Sequence, residues 1–166
     1  MSDQTTKGNK QNTKPIPSGL TSPETPKGIP KDATVLVVED NVSNFVLIAR
    51  LLGFLNIHCE WKTSGYEVVE YADTLPRLDL ILLDIRLPYE DGYSALKKIR
   101  QSDKLKNIPI IAVTAEGTQE QMNKAKAAGF NGFIGKPLDP DKFPDQIRRI
   151  FDNEPVWEIP FEERGL

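Results

Sequence analysis

The stretch Thr34-Val-Leu-Val-Val-Glu-Asp40 decides the reading of this chain. It is a short, β-branched apolar run that ends in two acids, as a strand buried on both faces of a parallel sheet should. A second run of the same kind, Leu80-Ile-Leu-Leu-Asp84, also ends in an acid. If the two are neighbouring parallel strands, the carboxylates of Glu39, Asp40 and Asp84 converge in one crevice. Crowded carboxylates repel and lose solvation, so such a cluster requires a cation, a proton or a basic side chain. A divalent metal is therefore expected there.

Outward from Asp40 the pattern alternates. Val42, Phe45, Ile48, Leu51, Leu52 and Leu55 recur at helical spacing, with an end near Gly53 to Asn56. A weaker strand, Ile57 to Trp61, leads to a helix from Ser64 with Tyr66, Val69 and Ala72 on its inner side. After the strand Leu80 to Leu83 comes a polar loop, then a helix from Gly92 with the stripe Tyr93, Leu96 and Ile99. The fourth strand is Pro109 to Val113. The next helix, Thr118 to Ala128, offers only Met122, Ala125 and Ala128, so it should be the loosest of the set. A short strand, Gly132 to Ile134, and a helix from Pro140 to Phe151 complete the series.

This alternation predicts an α/β fold, a doubly wound five-stranded parallel sheet of flavodoxin-like order 2-1-3-4-5 with helices on both faces. The crevice of such a sheet lies outside the carboxyl ends of its strands, where the winding reverses. Glu39, Asp40, Asp84 and Thr114 all fall at strand ends, and Lys136 follows the fifth strand.

The chain has 166 residues, 39% of them hydrophobic, enough for one domain and some flank. Residues 1–32, rich in Pro, Thr, Lys, Asn and Gly, read as a disordered tail, 33–152 as the domain and 153–166 as a C-terminal extension. The formal charge of -3 argues against a nucleic-acid binder, which needs a clustered basic surface. Cys59 is the lone cysteine and cannot form an internal disulfide, and no apolar stretch has the length to span a bilayer. A cytoplasmic protein with no membrane contact is expected.

The acids suit Mg2+, a hard cation that takes oxygen ligands. Asp40 and Asp84 are the candidates for direct ligands, with Glu39 acting through water. A carboxylate such as Asp84 can attack phosphorus as a nucleophile. The transition state then needs fixed positive and hydrogen-bonding groups, for which Lys136 supplies an ammonium and Thr114 a hydroxyl. Each residue also has a plainer reading. Asp40 or Asn41 can cap the helix that follows, Thr114 can be a turn residue, and Lys136 can merely end a strand before Pro137.

The segments Val35-Leu-Val-Val-Glu-Asp-Asn41, Leu83-Asp-Ile-Arg-Leu-Pro-Tyr-Glu-Asp-Gly92, Ala112-Val-Thr-Ala115 and Phe133-Ile-Gly-Lys-Pro137 together resemble the receiver domain of two-component response regulators. The resemblance runs from about Thr34 to Phe151, with the motifs in order. It implies that Asp84 accepts a phosphoryl group from the phosphohistidine of a sensor kinase or phosphotransfer protein. Glu39 and Asp40 would hold Mg2+, joined by the backbone carbonyl of Arg86, while Thr114 and Lys136 contact the phosphoryl group. Phe133 matches an aromatic that swings inward as the threonine moves, and Lys136-Pro137 is expected to be cis. The Arg86 side chain departs from the family's usual residue and is expected to pair with Glu39 or Glu116, screening the site from water.

The implied function is a single-domain, chemotaxis-type regulator that acts through phosphorylation-dependent contacts with a downstream protein, because too few residues follow Phe151 for an output domain. Such a switch assists its own phosphoryl transfer and autodephosphorylation but is not an enzyme for external substrates. A dehalogenase-like phosphohydrolase would need a second aspartate where Arg86 stands. The remaining alternative is a phosphorylation-independent, receiver-like scaffold. His58, the only histidine, reads as a strand-end surface residue. The strip Trp157, Ile159 and Phe161 either folds back on its own domain or reaches a second protomer in a homodimer.

Overall fold

A computed structural model describes residues 28–160. Six strands form one parallel sheet: β1 (Thr34–Val38), β2 (His58–Lys62), β3 (Leu80–Leu83), β4 (Ile110–Thr114), β5 (Gly132–Gly135) and β6 (Trp157–Glu158). Five helices connect them: α1 (Val42–Phe54), α2 (Val68–Thr74), α3 (Gly92–Gln101), α4 (Gln119–Ala128) and α5 (Phe143–Phe151). The strand order is β2-β1-β3-β4-β5-β6. The five expected strands thus take the order read from the sequence, and β6 is an addition that extends the winding past α5.

Side chains two apart on a strand share a face, so each central strand feeds two cores. Val35, Val37, Leu80, Leu82, Ile111, Val113 and Ile134 pack with Ile48, Leu51 and Leu52 of α1 and Phe143, Ile147 and Ile150 of α5. Leu36, Val38, Ile81, Leu83, Ile110, Ala112 and Phe133 face α2, α3 and α4 instead. Burial on both faces explains why β1, β3 and β4 read as unbroken apolar runs rather than alternating ones.

Polar side chains start three of the helices. Asn41 accepts a bond from the Asn44 N–H at 3.0 Å, Asp91 from Ser94 at 2.8 Å, and Thr118 from Gln121 at 3.2 Å. Gly129, at φ 106°, closes α4 in the left-handed conformation that costs glycine nothing.

Several details differ from the sequence reading. Helix α2 starts at Val68, not Ser64, because Glu67 adopts φ 61° and interrupts the helical backbone. Tyr66 accordingly points to solvent at 61% exposure, and Val68 takes the inner position. Val42 is 59% exposed and stands outside the buried stripe of α1, which is Ile48, Leu51 and Leu52. Helix α5 starts at Phe143. In α4 only Ala125 is fully buried, in keeping with the small contact area expected of that helix.

Residues 1–27 and 161–166, which include most of the stretch read as a tail and Phe161, lie outside the described residues. Ile29, also within that stretch, is buried in the α1–α5 core. No helix among the described residues is long and apolar enough to cross a membrane.

Candidate functional site

Register delivers the acids to one place. Val38 pairs with Leu83, so the next residue on each strand, Glu39 and Asp84, leaves the sheet side by side. The Asp84 N–H still donates to the Val38 carbonyl at 3.0 Å, and the Glu39 N–H to that of Lys62 at 3.0 Å, so the ladder anchors both backbones. Across β4 and β5 the pairing of Thr114 with Gly135 leads directly to Lys136, whose N–H donates to the Thr114 carbonyl at 2.8 Å. β1 and β3 flank the reversal of winding, so the crevice sits where the sheet order predicts it.

Carboxylate oxygens of Glu39, Asp40 and Asp84 lie within 4.8 Å of one another, with Glu39 and Asp84 buried and Asp40 exposed. The Lys136 ammonium bridges the two buried acids, 2.5 Å from Glu39 Oε2 and 2.9 Å from Asp84 Oδ2. Glu39 Oε1 accepts from the Asn41 N–H at 3.1 Å, and Asp84 Oδ1 accepts from the Arg86 N–H at 3.0 Å. Asn41 therefore provides the cap of α1, which leaves Asp40 free of that duty.

Electrostatics follow from this packing. Burial pushes the Asp84 carboxyl up to about 6, aided by the Glu39 charge and opposed by Lys136 and the Arg86 N–H. Burial pulls Lys136 down, but bonds to Glu39 and Asp84 outweigh it and hold the ammonium above its ordinary range. One ammonium against three carboxylates leaves negative charge uncompensated. The cluster is an all-oxygen donor set with an exposed member open to solvent, which fits a hard divalent cation such as Mg2+.

Thr114 is fully buried, and its hydroxyl receives a long 3.4 Å bond from the Glu116 N–H. The Arg86 guanidinium pairs with Glu116, the second of the two partners anticipated for it, and not with Glu39. The Lys136-Pro137 bond is cis, as anticipated. Phe133 is fully buried, and β6 pairs with the strand that carries it.

Two supports were not legible as site residues. A Cβ on Gly92 would lie 2.6 Å from the Asp84 carbonyl oxygen and 2.7 Å from Ile85 Cα, so the loop after Asp84 closes only over glycine. The glycine after Asp91 was the one signal available. Trp61 donates its indole N–H to the Glu39 carbonyl at 2.8 Å while its ring stacks on Phe45 at 4.1 Å, tying β2 and α1 to the acid pair. An isolated tryptophan on a weak strand carried no such signal.

Comparison with known proteins adds independent testimony. Residues 35–148 match the family model described as the response regulator receiver domain. The signal transduction histidine-protein kinase BarA of Shigella flexneri is 37% identical over 116 residues, 70% of this chain, yet the chain spans just 12% of that kinase. The polar-differentiation response regulator DivK of Brucella anthropi is 32% identical over 123 residues, covering 69% of this chain and 93% of that protein. Among solved structures, the receiver domain of the sensor histidine kinase PA1611 from Pseudomonas aeruginosa, with a magnesium ion in its active-site cleft, superimposes with a TM-score of 0.64. It is 33% identical and covers 72% of this chain and 97% of that one. With the motifs in order, the sheet in the expected winding and a family match over most of its length, the chain belongs to the response regulator receiver domain family.

Proposed function

We propose that this receiver domain is a phosphoryl-accepting switch in which Asp84 is the acceptor. The observation that carries the reading is the pairing of a buried, cation-bridged Asp84 with a second buried acid and an exposed third one. An Asp84 oxygen attacks the phosphorus of a phosphohistidine on a sensor kinase or phosphotransfer protein. The phosphorus–nitrogen bond breaks, and the leaving imidazole takes up a proton. Lys136 follows the developing negative charge, and the Thr114 hydroxyl bonds the transferred group. Asp40, Asp84 and the Arg86 carbonyl would hold Mg2+, with Glu39 contributing through water. When bound there, Mg2+ would supply positive charge against the negative charge that develops on transfer.

Thr114 follows Ala112 by two residues and Ala112 pairs with Phe133, so the threonine and the phenylalanine share a face of the sheet. A Thr114 hydroxyl drawn toward the phosphoryl group changes the packing beside the Phe133 ring, which is already buried on that face. That coupling gives Asp84 a means of altering the surface formed by α4, β5 and α5, where a downstream protein would read the signal. The domain is then a switch and not an enzyme for external phosphoesters, since Arg86 stands where a second acid–base group would be needed and is held by Glu116. Exchange with a kinase phosphohistidine, which is made from ATP, sets the proposed site of action in the cytoplasm.

Incubation with radiolabelled acetyl phosphate and Mg2+ tests the reading. Label should enter the wild-type chain and not Asp84→Asn, and should fail to enter when a chelator removes the metal beforehand. Equal labelling of both chains would reject Asp84 as the acceptor, and no labelling of the wild type would leave a phosphorylation-independent scaffold as the better reading.

A further inference from the structure

We infer that Trp157, on the added sixth strand, is a positioning residue for the phosphoryl site: it closes the outward path of Phe133 and holds that ring in the position the switched state requires. This rests on the reading of Asp84 as the acceptor.

β6 pairs in parallel with β5, and Trp157 stands in register with Phe133. Paired residues on adjacent strands project to the same face, and Trp157 and Ile159 both pack against the cluster that contains Phe133. The Phe133 N–H donates to the Val156 carbonyl at 2.8 Å, and Val156 itself is buried, so the segment is bound by backbone as well as side chains. Its flanks are fastened separately. Lys126 of α4 lies over the Trp157 ring at 4.7 Å, and Arg149 of α5 grips both oxygens of Glu158 at 2.7 and 2.9 Å.

The segment also reaches the two loops that carry the site. Pro160 lies against Gly117 and Gly135, and a Cβ on Gly135 would come within 2.6 Å of the proline ring. Gly117 follows Thr114 by three residues and Gly135 precedes Lys136. One short strap therefore touches the threonine loop, the lysine loop and the switch aromatic. Covering a sheet edge would by itself explain β6. It does not explain why the residue opposite Phe133 is a tryptophan with Lys126 of α4 over its ring, followed by a glutamate that Arg149 of α5 holds.

The consequence is quantitative. A ring free to leave its inner position would populate the competent state only in part, and apparent affinity falls in proportion to that fraction. With Trp157 in place, the outward population is removed and the site is organised before the phosphoryl group arrives.

The test uses the full chain and beryllofluoride with Mg2+, which mimics the aspartyl phosphate, with bound fluoride followed by 19F NMR and folding by thermal melt. Trp157→Ala should weaken beryllofluoride binding about tenfold, the factor expected if the unsupported ring is inward about a tenth of the time. Trp157→Phe, which restores an aromatic cover, should return affinity to within about twofold, since equal cover restores the same fraction. If Trp157→Ala is too unstable to assay, Glu158→Ala, which removes the Arg149 anchor and leaves the indole, should give a smaller loss in the same direction. A folded Trp157→Ala or Glu158→Ala chain that binds beryllofluoride as the wild type does overturns the inference and reduces the strap to an edge cover. Failure of the wild type to bind would instead overturn the acceptor role of Asp84.

Discussion

The Lys136 ammonium lies 2.9 Å from the Asp84 carboxylate across 52 residues of chain. The same ammonium lies 2.5 Å from Glu39, so a single side chain neutralises part of a buried acidic pair that would otherwise repel.

Removing that ammonium should therefore be costly. Lys136→Ala leaves two buried carboxylates facing each other and is expected to lower stability by about 3 kcal/mol, the scale for breaking a buried pair from one side. Urea unfolding with and without Mg2+ checks this: the deficit should shrink when the cation is present. A variant as stable as the wild type without metal would contradict the bridging role of Lys136.

Arg86→Ala should behave in the opposite way. Its side chain and that of Glu116 are 69% and 33% exposed, and exposed ion pairs contribute less than about 1 kcal/mol. Stability should be almost unchanged, whereas phosphorylated Asp84 should lose its phosphoryl group faster because the guanidinium no longer screens the cleft from water. An equal or longer lifetime, followed by release of phosphate, would reject the screening role.

Gly92→Ala places a methyl group against the Asp84 carbonyl and the Ile85 Cα, neither of which can rotate away. The loop must shift, and a loss of about 2 kcal/mol is expected by analogy with other overpacked sites. Because the displaced backbone carries Asp84, Mg2+ affinity should fall with stability. The indole of Trp61, bonded to Glu39, is a suitable fluorescent reporter. Unaltered Mg2+ binding would show that the loop and the acid are independent.

Burial pushes the Cys59 thiol from 9.0 up to about 11, with the Glu60 charge adding to the effect. The folded state therefore keeps its proton where the unfolded chain has lost it. The stabilisation this provides is complete below pH 9 and declines as pH rises from about 9 to 11. Below pH 9 the folded thiolate is about a hundredfold scarcer than in an unstructured peptide, so alkylation by iodoacetamide should be slower by a similar factor. Alkylation at the peptide rate in native buffer would mean that β2 opens freely.

Much of this molecule could be read before its coordinates. Runs such as Val35 to Val38 and Leu80 to Leu83 are apolar at every position because both faces of a central strand are buried. The acids, the threonine and the lysine mark strand ends because those are the positions where a polar side chain can leave the sheet. Boundaries were less legible. Helix α2 begins late because Glu67 adopts a left-handed backbone, a choice that its side chain does not announce. The strip with Trp157 and Ile159 was legible as an extended segment that could fold back on the domain, but not its pairing with β5, because the partner strand lies beyond an intervening helix.

Local pattern, in short range along the chain, determined by itself the alternation of strands and helices, the winding of the sheet and the kinds of residue gathered at its carboxyl ends. Tertiary structure alone decided between options that local chemistry leaves equal: Asn41 and not Asp40 caps α1, Arg86 pairs with Glu116 and not Glu39, and Trp157 stands over Phe133. The physical reason is range. Burial periodicity is set by neighbours a few residues apart, whereas each of those choices depends on a distance between segments that only the packed sheet brings within bonding reach.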